Sequence, residues 1–125
     1  MEGRLGQEIY MADFALQGQV DDAMASDLVE LVIKTMEMHC AHHPAMYRYP
    51  TDGKGGVGFT YLQPLTESFA GVDSWPELGG AYLSVRSCKT FEVIPLVVAI
   101  ERKGLKVSNW HFGYLALHNG KLAPD

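Results

Sequence analysis

Glu67-Ser68 is the pair in this chain whose types and setting could do chemistry. An alternating, strand-like run leads into it, Trp75-Pro76-Glu77 follows, and a lone cysteine, Cys88, stands twenty residues after the serine. That layout points to a serine that processes its own chain. A hydrolase triad is disfavoured: Gly-x-Ser-x-Gly is absent, and spacing pairs neither His111 nor His118 with an acid. Taken alone, Cys88 at the end of an apolar strand reads as a small buried hydrophobe.

Two other clusters carry weaker signals. Gly53-Lys54-Gly55-Gly56-Val57-Gly58 matches the letters of the dinucleotide fingerprint. That fingerprint works only between a strand and a helix N-terminus, and a strand pattern follows here. It also lacks the Lys-Ser/Thr ending of a phosphate loop, so it reads as a flexible connection. His39, Cys40, His42 and His43 are possible metal ligands, but neighbours at a helix end do not converge as a tight site requires. They read instead as a solvated helix C-terminus whose histidines complement the dipole, and no metal site is assigned.

These residues must be positioned by a small set of elements. Residues 7–16, with Ile9, Met11 and Phe14 among polar neighbours, form an expected first strand. Over 22–40 the period changes: Met24, Leu28, Leu31, Val32 and Met36 recur at helical spacing, with Asp21, Asp22 and Ser26 as candidate caps. Strands are expected at 45–49, 57–65, 69–75 and 81–88, with turns at 51–56 and 76–80; the last three form a meander. A second helix is expected from a cap at Thr90 to about Lys103, or from nearer Ile94, since Pro95 is tolerated only in a first turn. Residues 105–111 and 113–117 supply the last strands, before a frayed tail. The order β-α-β-β-β-β-α-β predicts an α+β two-layer sandwich, with two helices on one face of a mostly antiparallel sheet.

Composition narrows the function classes. The 125 residues suit a single domain spanning 1–125, able to bury about two thirds of its unfolded surface. A net charge of −5 with scattered cations offers no stripe for a phosphate backbone, so nucleic acid is not an expected partner. Two distant cysteines imply neither a disulfide framework nor a zinc finger. Residues 1–6 lack the apolar core of a signal peptide, and the apolar run 93–100 is too short to span a bilayer and contains Pro95. A soluble cytoplasmic protein with no membrane partner is the expectation.

The string from Thr66 through Glu67-Ser68-Phe69-Ala70-Gly71-Val72-Asp73-Ser74-Trp75-Pro76-Glu77 to Tyr82, leading to Cys88, resembles the core of the short prokaryotic S-adenosylmethionine decarboxylases. The likeness is ungapped from Thr60 to Cys88 and extends loosely through the first helix. It implies that Ser68 attacks the preceding carbonyl, that the chain splits into 1–67 and 68–125, and that Ser68 becomes a pyruvoyl cofactor. The pyruvoyl carbonyl would bind the substrate amine as a Schiff base and act as electron sink while carbon dioxide leaves. Cys88 would return the proton, Thr60 would stand for a serine that assists processing, and Glu77 would hold ribose hydroxyls. Trp75 belongs to the same substrate pocket, and Tyr49, or Tyr47, would stack adenine. Sites of this family lie between protomers, which implies a homo-oligomer, a dimer before a trimer.

Two positions depart from the family. It has histidine directly after the processing serine and again five residues beyond it, where this chain has Phe69 and Asp73. The second histidine is the base for ester elimination, and an ordinary aspartate, about 2.5 units more acidic, is a poorer base at neutral pH unless burial raises it. The leading expectation is a pyruvoyl-dependent S-adenosylmethionine decarboxylase of polyamine biosynthesis, with Asp73 in the histidine's place. A variant would take a free basic amino acid. Two alternatives keep the pocket without the pyruvoyl: an unprocessed lyase releasing methylthioadenosine, and a non-catalytic pseudoenzyme subunit.

Overall fold

The alternation of apolar and polar residues becomes a six-stranded antiparallel sheet in the computed structural model, which describes residues 8–50 and 57–117. The glycine-rich connection at 51–56 and the tail with His118 lie outside the described residues. The elements are β1 (Glu8–Gln17), α1 (Asp22–Met36), β2 (Ala45–Tyr49), β3 (Gly58–Leu65), β4 (Ser68–Trp75), β5 (Gly80–Ser87), α2 (Val93–Glu101) and β6 (Lys106–Ala116). Across the sheet they run β2-β3-β4-β5-β1-β6, so the meander β3-β4-β5 is extended by β1, with β2 and β6 as edges. This is the expected α+β two-layer sandwich in the expected element order.

Strand parity decides which residues are buried. Phe14 of β1 pairs with Leu83 of β5, which pairs with Val72 of β4, and all three are fully buried. Ala12, Val85 and Ala70 form the next buried row. Leu28, Val29 and Val32 of α1 and Leu96 and Ile100 of α2 cover these rows in one core. The alternate residues point the other way, and among the described residues no helix covers them. Tyr47, Leu62, Trp75 and Tyr82 are exposed on that open face. No helix among the described residues is long and apolar enough to cross a membrane.

Two boundaries differ from expectation, and a third falls at one of two expected starts. Helix α1 starts on the Asp21 cap, whose carboxylate accepts the Met24 N–H, but ends at Met36 rather than near Cys40. Glu37 adopts a left-handed conformation, and the Met38 N–H closes onto the Ile33 carbonyl, a Schellman-type ending usually marked by glycine. Helix α2 begins at Val93, next to the Ile94 start that the first-turn requirement of Pro95 implies and not at a Thr90 cap. Strand β6 is one element, its irregularity absorbed as a bulge opposite Ala15 and Leu16.

The β4–β5 connection carries Trp75 and Glu77 into place. A single 3-10 turn, Pro76–Leu78, ends at Gly79 with φ 72°, and the Gly79 carbonyl accepts the Gly18 N–H at 2.9 Å. Gly80 then enters β5 so close to β1 that a Cβ there would lie 2.1 Å from the Leu16 carbonyl oxygen. Gly80→Ala is expected to destabilise the fold by about 1–3 kcal/mol, the usual cost of overpacking, read as a lower urea midpoint with an unchanged slope. An unchanged midpoint would refute this account of the glycine.

Candidate active site

The Glu67-Ser68 peptide sits in a two-residue hairpin turn. Leu65 pairs with Ser68, leaving Thr66 and Glu67 as the connection between β3 and β4. Residues 39–41, just beyond α1, lie along this turn: Cys40 bridges to Leu65, the Ala41 N–H donates to the Pro64 carbonyl, and the Thr66 N–H donates to the His39 carbonyl. On the other side the Cys88 N–H donates to the Glu67 carbonyl at 3.0 Å. The carbonyl preceding Ser68 is therefore already polarised by a fixed donor, the arrangement that stabilises negative charge when such a carbon is attacked.

Glu67 is buried, with its side chain 3% exposed. Its carboxylate accepts the His39 backbone N–H at 3.0 Å and lies 2.8 Å from His39 Nδ1, with Lys89 Nζ at 3.9 Å. Burial pushes the carboxyl upward, but the hydrogen bonds from the His39 ring and backbone outweigh it and hold the group below its ordinary value. His39 is thus a site residue that sequence reasoning assigned to a solvated helix end. Helical periodicity carries no signal for it, because its role depends on where α1 stops. Among the described residues no group of three or more His, Cys, Asp or Glu could hold a metal ion.

A second locus lies further along β4 on the open face. A cavity of about 370 Å³ is lined by Tyr49, Pro50, Gly58, Thr60, Asp73, Ser74, Trp75 and Glu77. Tyr49 pairs with Gly58, and the β3–β4 register carried one residue further sets Gly58 opposite Trp75. Gly58 leaves a trough two strand spacings wide, roughly 10 Å, between two aromatic side chains. Thr60 and Asp73 are a cross-strand pair: the Thr60 hydroxyl donates to Asp73 Oδ1 at 3.0 Å, and the Trp75 indole N–H donates to Oδ2 at 3.2 Å. Two carboxylates, Asp73 and Glu77, face this cavity, and among the described residues no cationic side chain lines it. It suits a cationic ligand with a flat aromatic part.

The candidate residues therefore divide into two groups. Glu67, Ser68 and Cys88 meet at the hairpin end; Tyr49, Thr60, Asp73, Trp75 and Glu77 meet at the cavity, while Tyr47 lies on the same open face, paired with Thr60 but outside the cavity lining. Ser68 and Asp73 are five residues apart on one strand, roughly 17 Å at the usual rise, and the odd spacing sets them on opposite faces. Within one chain Asp73 does not reach Ser68.

No family model matches this chain, and no curated protein matches it significantly. Among solved structures the chain is similar to the crystal structure of the adenosylmethionine decarboxylase from Aquifex aeolicus VF5, with a TM-score of 0.58 and 14% identity. The match covers 96% of this chain and 98% of that one. At that identity the likeness establishes the shared fold.

Glu67 also yields a pH signature. Its folded value lies below the ordinary 4.5, so its contribution to stability is fully present above about 4.5 and is lost as pH falls through the lower folded value. Glu67→Gln should be less stable than the parent at pH 7 by about 1–3 kcal/mol, the range for a hydrogen bond to a buried charged group. The gap should close towards pH 3. A gap of equal size at both pH values, in denaturant titrations, would contradict the assignment.

Proposed function

We propose that this chain is a pyruvoyl-dependent decarboxylase acting on S-adenosylmethionine, matured by cleavage between Glu67 and Ser68. The observation that carries the proposal is the Cys88 N–H held on the Glu67 carbonyl at 3.0 Å, within a fold shared with an adenosylmethionine decarboxylase. In this reading Ser68 Oγ adds to the Glu67 carbonyl carbon and the peptide C–N bond breaks, moving the acyl group from nitrogen to oxygen. The Cys88 amide bears the oxyanion. A base removes the Ser68 α-proton, the ester breaks with the main-chain carboxylate of Glu67 as leaving group, and the resulting enamine takes up one water and loses one ammonia.

The hairpin fits the group so formed, because the new chain start stays in the β3–β4–β5 ladder beside Cys88. That group supplies an electron sink for the carbanion left when carbon dioxide departs. The protein's own residues bind and orient: Tyr49 and Trp75 flank the adenine over Gly58, and Glu77 accepts from ribose hydroxyls. Asp73, held by Thr60 and Trp75, meets positive charge or takes the α-proton. Cys88 donates the proton to product.

The two half-sites lie too far apart to act within one chain, so the reading includes a homo-oligomer in which the open face of one copy brings its Asp73 cavity to the Ser68 turn of another. The exposed Tyr47, Leu62, Trp75 and Tyr82 on that face give such an assembly apolar surface to bury. A dimer is the simplest closed form.

A second reading has its own support. The cavity is complete without Ser68, and Asp73 stands where a histidine would serve as the elimination base. An unprocessed lyase would orient the substrate's carboxylate towards its γ-carbon and release methylthioadenosine.

Intact mass under denaturing conditions separates the two. Two fragments, 1–67 and a pyruvoyl-headed 68–125, are expected for the parent chain, and one uncut chain for Ser68→Ala. A single full-length parent chain sinks the decarboxylase. Glu77→Gln should weaken S-adenosylmethionine binding about tenfold or more in either reading, measured by calorimetry. Unchanged binding would move the ligand out of this cavity.

A further inference from the structure

The buried Glu67 carboxylate is used by no step above, yet it is the most heavily bonded side chain near the turn. Its one-residue clamp is unusual: His39 offers both its backbone N–H, at 3.0 Å, and its ring Nδ1, at 2.8 Å, to the two carboxylate oxygens. The His39 carbonyl simultaneously accepts the Thr66 N–H at 2.8 Å. Three bonds from one residue thus grip two consecutive residues of a turn that has only two. The opposite side of the same peptide is held by the Cys88 N–H on the Glu67 carbonyl.

We infer that His39 is a positioning residue: by clasping the Glu67 side chain it fixes the rotation of the Glu67–Ser68 peptide, so that the carbonyl stays on the Cys88 amide. The acid before the serine is then an anchor rather than a spectator. Without that anchor the Glu67 carbonyl keeps only the Cys88 N–H, and a carbonyl that swings off that donor loses the oxyanion contact. His39 is 72% exposed at its side chain while Glu67 is 3% exposed. The clasp therefore closes from the surface over a buried acceptor, and His39 can be changed without opening the core.

The role in maturation rests on the decarboxylase reading; the clasp itself does not. Two measurements keep them apart. In a Ser68→Ala background, which cannot cut itself, His39→Ala should speed amide exchange at Cys88 roughly tenfold or more, on the scale of one lost hydrogen bond to a charged group. Exchange at Leu83 and Val85 in the preceding strand β5 should not change. With Ser68 present, His39→Ala should slow formation of the two fragments by a similar factor. His39→Asn, whose side-chain N–H can replace the Nδ1 donor, should restore most of both effects.

Unchanged Cys88 exchange in His39→Ala overturns the inference whatever the chain does about cleavage. So does faster exchange accompanied by cleavage at the parental rate, or failure of His39→Asn to recover while the sheet amides stay protected. Faster exchange in a protein whose parent chain never cuts supports the clasp and removes only the decarboxylase reading.

Discussion

The two-residue period of strand β4 governs what this molecule can do. Ser68 begins the strand and Trp75 ends it, so one element carries the candidate nucleophile at one end and the wall of the candidate ligand cavity at the other. Because alternate residues face opposite ways, Ala70, Val72 and Ser74 are committed to the core, and Asp73 and Trp75 to the open face. A slip of one residue would bury Asp73 and expose Val72. Register is therefore not only a matter of stability; it decides which chemistry sits on which side of the sheet.

The hairpin end obeys a different constraint. A buried carboxylate is costly unless it is bonded, and Glu67 meets that condition by drawing on two separate parts of the chain: the segment after α1 and the start of the loop after β5. The left-handed Glu37 that stops α1 early is what lets His39 run back along β3. Helix termination, strap and turn form one connected arrangement, in which the polar cost of burying an acid is offset by a fixed geometry around the adjacent peptide bond.

Element types and order were legible in the sequence because they depend on local period. The alternation around Phe14, Leu83 and Val72 and the helical spacing of Leu28, Val32 and Met36 survive without tertiary knowledge. What escaped was set by partners far along the chain. No glycine or proline marks the end of α1, so its pattern overran, and His39 was read as a dipole partner. Gly58 looked like part of a glycine-rich connection, and only the pairing Tyr49 to Gly58 shows that its missing side chain shapes the trough. Thr60 and Asp73 stand thirteen residues apart in sequence and touch because a two-residue turn folds β3 onto β4.

Charge in the cavity bears on the choice between the two proposed reactions. A sulfonium held beside Asp73 and Glu77 is stabilised by both carboxylates, and that attraction persists through any step in which the sulfonium keeps its charge. Loss of carbon dioxide from the far end of the substrate is such a step, so the carboxylates would hold substrate and transition state alike. Cleavage at the γ-carbon turns the sulfonium into a neutral thioether, and the same carboxylates would then favour the ground state over the transition state, raising the barrier. A pocket lined by Asp73 and Glu77 is thus a better environment for a reaction that preserves the positive charge than for one that discharges it. If position 73 supplied the elimination base, aspartate in place of histidine would weaken it, and by the charge argument it would make the uncut lyase harder as well. The two effects meet at one residue, and the electrostatic one favours decarboxylation.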